Sequence, residues 1–296
     1  MDTSTMMFRP MIPDDLDRGF VTTLSVLKPV DFAQEKLQNI FQDRNRQGCC
    51  TYVLEENNSV VATATAIYET KFYNQGRKVA HIEDVAVHAE QQGRGLGKMI
   101  MEAMKTEAVA KGCYKMILDC SDKNIPFYEK CGYKTHETQM RIDLPGSNEF
   151  CCNSPRVIKP MTIGDIESGF PETLSVLKPV DLPKERLQEI FVEKVLQGTT
   201  TWIIENDGRT IATATVIYET KFYNCGKKVA HIEDVAVHAD HQGRGLGKMI
   251  MEALKTKAVA NGCYKIILDC SSKNIPFYEK NGYKVHETQM RMDLTD

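Results

Sequence analysis

The sequence predicts two tandem copies of a layered α/β (α+β) domain, each with a mixed central sheet flanked by helices. Residues 8–144 align without gaps onto residues 158–294, and from position 68 to position 144 only 12 of the 77 aligned residues differ. Within each copy, segments with helical and strand-like spacing follow one another. A repeat of this length matches a complete domain rather than a solenoid unit. We therefore expect one domain at 1–144, a linker at 145–157 and a second domain at 158–296.

The elements of copy one are predicted in the order strand, two helices, several strands, helix, strand, helix and strand. Apolar residues at helical spacing predict helices over 13–27 and 31–44, with acidic residues early in the first and an N-cap candidate opening the second. A third helix is predicted over 95–111 and a short one over 124–132, each with a glycine at its end. Alternating or β-branched residues predict strands over 50–56, 59–69, 78–88, 114–120 and 135–144.

Composition excludes several classes of function. The formal net charge is -3, so no global basic field argues for binding to nucleic acid or to an anionic membrane. No apolar run approaches the roughly 20 residues that a membrane span needs, and the N-terminus lacks a signal-peptide pattern. We expect a cytoplasmic protein that acts on small molecules.

The ten cysteines do not form a disulfide framework in this interpretation. Cys49, Cys50 and Cys131 are replaced by Thr or Asn in copy two, and no C-x-x-C pair has the spacing of a zinc site. We expect reduced thiols. His81 and His88 lie on one predicted strand, but their spacing puts them on opposite faces and no Cys or second His completes a site. No metal is expected.

A glycine-dense turn, "QQGRGLGK", connects a predicted strand to a predicted helix in each copy. Gly93, Gly95 and Gly97 lack Cβ atoms, so successive backbone N–H groups can point into one concavity at the positive end of a helix. A Walker A loop needs a Gly where this chain has Gln92 and a Ser or Thr where it has Met99. A dinucleotide fingerprint needs a third Gly where this chain has Lys98, so the spacing fits neither motif. The turn is therefore expected to hold a different phosphate ligand.

The turn resembles the [RQ]-x-x-G-x-[GA] motif of the GNAT superfamily of acyl-CoA N-acyltransferases, over 92–97 and again over 242–247. With "HIEDVAV" before it and "GCYKMILDC" and "KNIPFYEKCGY" after it, each copy is similar to the glucosamine 6-phosphate N-acetyltransferases within that superfamily. The similarity covers essentially all of each copy and is strong over 71–140. It implies the GNAT fold, acetyl-CoA as co-substrate and no metal.

The resemblance also implies which residues bind coenzyme A. The turn's backbone amides would hold the pyrophosphate, and the strand before the turn would pair its backbone with the pantetheine arm as an added strand does. The implied residues in copy one are Val85, Ala86, Val87, Gln92, Gly93, Arg94, Gly95, Leu96, Gly97, Lys98 and Asn124. Those in copy two are Val235, Ala236, Val237, Gln242, Gly243, Arg244, Gly245, Leu246, Gly247, Lys248 and Asn274.

The implied catalytic residues must serve attack of a free amine on a thioester. Tyr128 and Tyr278 match the family's tyrosine near the thioester sulfur, where a phenol can donate a proton to the leaving thiolate. The pairs Glu83–Asp84 and Glu233–Asp234 interrupt an apolar strand, and carboxylates there are costly to bury. Either one of each pair faces the site, or a bulge lets both do so.

Asp119 and Asp269 match a further sugar-contacting acid of the family. Glu83, Glu233, Asp119 and Asp269 are therefore catalytic candidates. The residue that takes the amine proton is left open among these acids and a water that one of them holds.

The implied sugar-phosphate site needs cations. Lys71 and Lys221 match the family's basic residue, and Arg141 and Arg291 lie nearest to an arginine that the family's last strand contributes to the partner subunit's site. The acids Glu83, Asp84, Asp119, Glu233, Asp234 and Asp269 complete the substrate-binding set. Two features depart from the family pattern: Asn74 and Asn224 replace a common His, and Lys28–Pro29 and Lys178–Pro179 replace a Thr-rich stretch. His136 and His286 are expected to be solvated.

The resemblance implies acetyl transfer from acetyl-CoA to glucosamine 6-phosphate, a step toward UDP-N-acetylglucosamine. Because single-domain members resemble dimers that exchange C-terminal strands, the two copies are expected to pair as an intrachain pseudo-dimer, with further self-association left open. The 12-residue stretch Pro145–Arg156 can span roughly 40 Å. Two alternatives stay open: an acetyltransferase for another small amine, and a non-catalytic acetyl-CoA-binding scaffold.

Overall fold

A computed structural model of the chain describes residues 6–144 and 158–294. The predicted linker at 145–157 lies outside the described residues, as do residues 1–5, 295 and 296. The two copies have the same elements in the same order. No helix in the described part of the chain is long and apolar enough to cross a membrane.

Copy one contains six strands and four α-helices. The strands are β1 (Met7–Pro10), β2 (Cys49–Glu56), β3 (Ser59–Thr70), β4 (Lys78–Val87), β5 (Cys113–Cys120) and β6 (Lys134–Asp143). The helices are α1 (Phe20–Leu24), α2 (Gln34–Arg46), α3 (Leu96–Ala110) and α4 (Ile125–Lys130).

Copy two repeats this arrangement among the described residues. Its strands are β7 (Ile158–Pro160), β8 (Thr200–Asn206), β9 (Arg209–Thr220), β10 (Lys228–Val237), β11 (Cys263–Cys270) and β12 (Lys284–Asp293). Its helices are α5 (Phe170–Leu174), α6 (Lys184–Leu196), α7 (Leu246–Ala260) and α8 (Ile275–Lys280).

The first predicted helix, over 13–27, is wrong as a continuous element. A 3-10 turn at Pro13–Leu16 is separated from α1 by Gly19, whose φ of 91° lies in the left-handed region. A Cβ at Gly19 would lie 2.8 Å from Ser59 Oγ, so the chain passes close to the start of β3 there. Long-range packing, rather than the local apolar spacing, sets this break.

The predicted strands and the other helices are confirmed, and together they form one twelve-stranded mixed sheet in the order β1-β2-β3-β4-β5-β12-β6-β11-β10-β9-β8-β7. The C-terminal strands are exchanged: β6 of copy one pairs with β11 of copy two, and β12 pairs with β5. The two exchanged strands also pair with each other, antiparallel, at the centre of the sheet. Each copy therefore completes its sheet with a strand from the other.

The hydrophobic cores follow the same exchange. Met290 of β12 is fully buried in the core between the copy-one sheet and α3, while Met140 of β6 is fully buried in the corresponding core of copy two. The segment after β3 also crosses over, since Phe72 packs edge-to-face on Phe170 at 4.9 Å between ring centroids. Phe222 packs on Phe20 in the same way at 5.0 Å. Removing either copy would expose apolar surface of the other.

The parallel pairing of β4 with β5 stops at His81, which lies opposite Ile117, although β4 continues to Val87. The corresponding pairing in copy two stops at His231 and Ile267. Beyond these positions the two strands diverge, and no strand within 6–144 or 158–294 pairs with the backbone edge that the first strand leaves open. An extended ligand can therefore lie against that edge as an added strand would.

Candidate active site

A cleft of about 520 Å³ runs along the open edge of β4 in copy one, and a cleft of about 490 Å³ runs along β10 in copy two. The predicted coenzyme A residues that line the first are Val85, Ala86, Val87, Gln92, Gly93, Gly95, Leu96, Gly97, Lys98 and Asn124. Those that line the second are Val235, Ala236, Val237, Gln242, Gly243, Gly245, Leu246, Gly247, Lys248 and Asn274. The structure thus gathers nearly all of that predicted set in one cleft per copy.

The side chains of Arg94 and Arg244 are the exceptions, because neither lines its cleft. The Arg94 guanidinium pairs with the Glu56 carboxylate at 2.7 Å and is partly exposed.

The glycine turn provides an open anion site at the start of α3. Gly93 and Gly95 have φ values of 80° and 81°, and a Cβ on either would meet no atom within 4 Å, so both face open space. Gly97 is small for another reason, since a Cβ there would lie 3.1 Å from the ring of Phe127. The free N–H groups of the first turn of α3 and its dipole favour a phosphate in that space.

A second pocket adjoins each cleft and is lined by acidic and basic side chains. Its volume is about 410 Å³ in copy one and about 340 Å³ in copy two. In copy one, Tyr128 and Asn124 line both the cleft and the pocket, so the two cavities meet at the phenol ring. Tyr278 and Asn274 occupy the same junction in copy two. Burial raises the pKa of Tyr128, and the phenol therefore keeps its proton at neutral pH.

Glu83 and Asp84 both line the pocket because β4 contains a bulge. The pairing register with β3 shifts between Thr63 and Thr65, and Asp84 has a φ of 52°. Asp234 repeats this with a φ of 54°. Of the two arrangements that the sequence left open, the structure has the bulged one, in which both carboxylates face the same side.

The lysine at each bulge comes from the other copy. Lys221 donates to Glu83 at 2.9 Å and to Asp84 at 3.0 Å, and Tyr223 donates to Asp84 at 2.7 Å. Reciprocally, Lys71 donates to Glu233 and Asp234 at 3.0 and 3.1 Å. Each acidic pocket is therefore built from both copies.

Both lysines are 2% exposed, and each also pairs with a buried glutamate of its own copy. Burial opposes the charge on Lys221, but the carboxylates of Asp84, Glu219 and Glu83 outweigh it and raise its pKa. With three carboxylates around it, this ammonium is not a free cation. The predicted direct role of Lys71 and Lys221 in phosphate binding stays a prediction, and the structure favours a role in holding the acidic bulge.

A buried cation on α2 or α6 extends each network, and here the two copies differ. Arg44 donates to Glu219 at 3.2 Å and approaches Asp84 at 3.5 Å. Its counterpart Lys194 donates to Glu69 at 3.0 Å. The carboxylates that line the pocket of copy one therefore have one more cation in direct contact than those of copy two.

The third predicted acid, Asp119, lies at the end of β5 and lines the pocket of copy one, as Asp269 does in copy two. Asp119 accepts a hydrogen bond from Gln139 and has no ion-pair partner among the described residues. Burial, followed by repulsion from Asp269 and Glu83, raises the pKa of Asp119 well above its ordinary value. Asp119 therefore differs from Glu83 and Asp84, whose charges Lys221 balances.

The arginine of the last strand does not reach the other copy's site as expected. Arg141 lines the pocket that contains Glu83 and Asp119 of its own copy, and Arg291 lines the pocket of Glu233. The strand exchange turns β6 back beside its own pocket, while β11 and β12 carry Lys265 and His286 into it from copy two. Lys265 and its counterpart Lys115 thus cross over into the other copy's pocket, as Lys221 and Lys71 do at the bulges.

His136 and His286 are exposed, as expected, and each also lines a pocket and contacts the last strand of the other copy. His286 bonds to Gln139 at 3.1 Å and to Arg141 at 2.9 Å. Burial lowers the pKa of His286, and Arg141 lowers it further. The sequence contains no local signal for this, because the contact depends on the strand exchange.

Two trios of side chains have metal-ligand character. Glu69, His81 and Glu233 bring their ligand atoms within 4.8 Å of one another, as do Glu83, Glu219 and His231. No Cys or second His joins His81 in its trio, as expected; its neighbours are carboxylates, Glu69 of its own copy and Glu233 of the other copy. The charge of each trio is met by lysine: Lys71 lies 2.6 Å from Glu69, and Lys221 lies 2.7 Å from Glu219.

The eight cysteines within 6–144 and 158–294 are free thiols. Seven of them lie at least partly buried, all except Cys225, and burial raises the pKa of Cys113 and Cys263 to about 12. These thiols therefore stay protonated and behave as small apolar side chains.

The profile of the "Acetyltransferase (GNAT) family" matches residues 18–133 and 169–283 of this chain. A glucosamine 6-phosphate N-acetyltransferase of Trypanosoma brucei brucei is 44% identical over 111 residues, which are 37% of this chain and 76% of that protein. Glucosamine 6-phosphate N-acetyltransferase 1 of Dictyostelium discoideum is 35% identical over 142 residues, 47% of this chain and 90% of that protein.

Solved structures that match nearly the whole length of the chain include one with a tandem arrangement. It is a tandem GNAT protein from the clavulanic acid biosynthesis pathway, with a TM-score of 0.58 at 13% identity, and the match covers 99% of this chain and 100% of that one. At that identity the likeness concerns the duplicated fold alone. The open strand edge, the glycine turn and the family match in each half lead to one conclusion: the chain is an enzyme of the GNAT acetyltransferase family and contains two such domains in tandem.

Proposed function

We propose that this chain transfers the acetyl group of acetyl-CoA to the amine of glucosamine 6-phosphate, at two sites that are each completed by the other copy. The observation that carries the proposal is the position of Tyr128, whose ring lines both the cofactor cleft and the acidic pocket. A thioester at the inner end of the cleft would meet an amine in the pocket at this residue.

The cleft suits acetyl-CoA in shape and chemistry. The glycine turn and the N-terminus of α3 would hold the pyrophosphate, and the open edge of β4 at 85–87 would pair with the amide groups of the pantetheine arm. Gln92 donates to the Val87 carbonyl at 3.4 Å and so ties the end of β4 to the turn. These residues position the thioester and exclude water from one of its sides.

The pocket suits an amine. Its carboxylates attract an ammonium group, and Asp119 has no ion-pair partner among the described residues. A raised pKa makes the Asp119 carboxylate a better proton acceptor near neutral pH. We therefore assign removal of the ammonium proton to Asp119, and to Asp269 in copy two. The neutral amine then attacks the thioester carbon, the carbon–sulfur bond breaks, and the Tyr128 phenol donates its proton to the sulfur. The nitrogen of the new amide loses its remaining extra proton, which restores the phenol, and Asp119 returns its own proton to solvent.

The pocket also contains basic side chains that suit a phosphate. Lys265 makes no ion pair among the described residues; burial, together with Lys221, lowers its pKa. An anion beside Lys265 would reverse that penalty. Lys28, Arg141 and His286 line the same pocket. Lys71 and Tyr73 line the pocket of copy two, whereas Asn74, where the sequence departs from the family pattern, does not.

The exchange of β6 and β12 supports the expected intrachain pseudo-dimer. We propose that this exchange replaces the pairing of two separate chains in single-domain relatives. The glucosamine 6-phosphate N-acetyltransferases of Trypanosoma and Dictyostelium each match only about half of this chain or less.

Release of free thiol from acetyl-CoA tests the substrate. We expect rapid release with glucosamine 6-phosphate and a kcat/KM at least tenfold lower with glucosamine, because the cations near Lys265 would have no anion. Changing Lys265 and Lys115 to Met should raise KM for glucosamine 6-phosphate and leave KM for glucosamine nearly unchanged. Equal rates with both amines would contradict the phosphate assignment, and no release with either would contradict the proposed reaction.

A further inference from the structure

Two carboxyl groups, one from each copy, meet between the two pockets. Asp119 and Asp269 line a cavity of about 10 Å³, which is at most the space that one water molecule needs. The charged and polar side chains that face this cavity come equally from both copies: His81, Glu83, His231 and Glu233 complete its polar lining. Each aspartate also lines the substrate pocket of its own copy. The pair is therefore a direct contact between the two sites.

One oxygen atom of each aspartate lacks a hydrogen-bond donor, and a proton between the two carboxyl groups would supply one. Gln139 donates to Oδ2 of Asp119, and Gln289 donates to Oδ2 of Asp269. The Oδ1 atoms of both residues are buried and receive no donor from the described residues. A buried acceptor without a donor costs roughly 1–3 kcal/mol. Because both residues line the same small cavity, one proton shared between the two carboxyl groups would satisfy both oxygens.

The charges around the pair also disfavour two carboxylates. Burial raises the pKa of both groups, repulsion from Glu83 adds to the effect at Asp119, and repulsion from Glu233 adds to it at Asp269. His81 acts in the opposite direction on Asp269. When two carboxyl groups interact this closely, their protons leave in two steps that belong to the pair.

We propose that Asp119 and Asp269 hold one proton between them, and that this shared proton links the two acetyltransferase sites. The link rests on the proposed amine substrate. An ammonium group bound beside Asp119 favours the ionised form of that residue and leaves the proton on Oδ1 of Asp269. The second pocket then presents a neutral carboxyl group, and a second ammonium binds well only when the shared proton passes to solvent.

The shared proton is tested first without any substrate. The chain is labelled with ¹³C at the aspartate carboxyl carbons, and their chemical shifts are followed as pH rises from acid to mildly alkaline values. We expect two separated steps for the pair, with one carboxyl group still protonated near neutral pH. Asp119→Asn should remove the upper step and return Asp269 toward its ordinary pKa of 3.8. Asp269→Asn should do the same to Asp119, which keeps the test decisive if one variant fails to fold.

Asp122→Asn is the matched control, since Asp122 lies just beyond β5 at an exposed position. It should leave both steps of the pair in place. The proposal is overturned if the wild-type chain has no carboxyl group protonated near neutral pH, or if the upper step survives in Asp119→Asn.

The link between the sites is tested by calorimetry of glucosamine 6-phosphate binding to the chain saturated with coenzyme A. We expect two steps, the second weaker by about 5- to 150-fold, which is the usual range of coupling between sites. In buffers of different ionisation enthalpy, only the second step should release a proton. Asp119→Asn and Asp269→Asn should each abolish that release. Two equal steps without proton release would refute the link, whereas absence of any binding would contradict the proposed substrate and leave the carboxyl titration to decide the shared proton.

Discussion

The phenol of Tyr223 donates a 2.7 Å hydrogen bond to Asp84, and the two residues belong to different copies of the same domain. Asp84 sits at the bulge of β4 with a left-handed backbone, a conformation that a non-glycine residue keeps only when its surroundings hold it. Lys221, from the same segment as Tyr223, holds the same carboxylate. The shape of one site thus depends on side chains of the other copy.

The dependence between the copies predicts a crossed pattern of mutant effects. Tyr223→Phe removes the hydrogen bond to Asp84 and should lower kcat of the copy-one site by about 10-fold, since a lost buried hydrogen bond costs roughly 1–3 kcal/mol. The effect is measured in a chain whose copy-two site is silenced by Tyr278→Phe. Tyr73→Phe should act on the copy-two site, measured with Tyr128→Phe in place. If each tyrosine affected the site of its own copy instead, the crossed arrangement would be refuted.

The glycine turn predicts a separation of stability from cofactor binding. Gly95→Ala and Gly112→Ala both place a side chain at positive φ, 81° and 75°, with no atom within 4 Å of the new Cβ. Each should lower the free energy of unfolding by about 1–2 kcal/mol. Only Gly95→Ala should raise KM for acetyl-CoA, because Gly112 lies at the far end of α3. An equal change in KM for both variants would argue against pyrophosphate binding in the turn.

The buried arginine of α2 predicts a large loss of stability. Arg44 is 1% exposed and donates to Glu219, to the Thr220 carbonyl and to Thr65. Arg44→Met leaves Glu219 and Asp84 with one cation fewer and should cost about 3–5 kcal/mol, as breaking a buried ion pair does. Arg46→Met, two residues along the same helix, removes only an exposed pair with Asp43 and should cost less than about 1 kcal/mol. Chemical unfolding at neutral pH measures both, and similar costs would contradict the assignment.

The buried glutamates predict a loss of stability in acid. Burial disfavours the charge of Glu69, but Lys194 and Lys71 outweigh it and hold its pKa well below the ordinary 4.5; Lys221 and its neighbours do the same for Glu219. Because the folded pKa is depressed, the stabilisation is present above pH about 4.5 and is lost as the pH falls toward the folded values.

The slope of unfolding free energy against pH in that range should reach about 1.4 kcal/mol per pH unit for each proton taken up. Glu69→Gln should lower this slope by the contribution of one proton. Glu102→Gln, at an exposed position of α3, serves as the control and should leave the slope unchanged. A slope that Glu69→Gln does not alter would mean that this carboxylate is not ion-paired in solution.

Much of the fold could be predicted from local pattern, and the cofactor cleft largely from the glycine turn and the strand before it. These features lie in contiguous sequence, and spacing alone determines which residues can share a face. The break at Gly19 could not be predicted, because it depends on the approach of Ser59 from β3.

The acids that line the pockets could be predicted from the sequence, but their arrangement and their partners could not. Glu83 and Asp84 were recognisable as carboxylates in an apolar strand, whereas the partners that hold them, Lys221 and Tyr223, lie about 140 residues away along the chain. The roles of Lys265, His286 and Arg44 depend on which strand lies beside which. The nearly identical copies carry no local mark of the exchange, so the sequence could not assign these side chains to a site.

The rates of four chains with acetyl-CoA and glucosamine 6-phosphate test the central claim most directly: wild type, Tyr128→Phe, Tyr278→Phe and the double variant. Two working sites predict that each single variant keeps roughly half of the wild-type kcat, while the double variant loses about 10²–10⁴-fold, the usual contribution of a positioned acid. A double variant as fast as the wild-type chain would contradict the assignment of both sites.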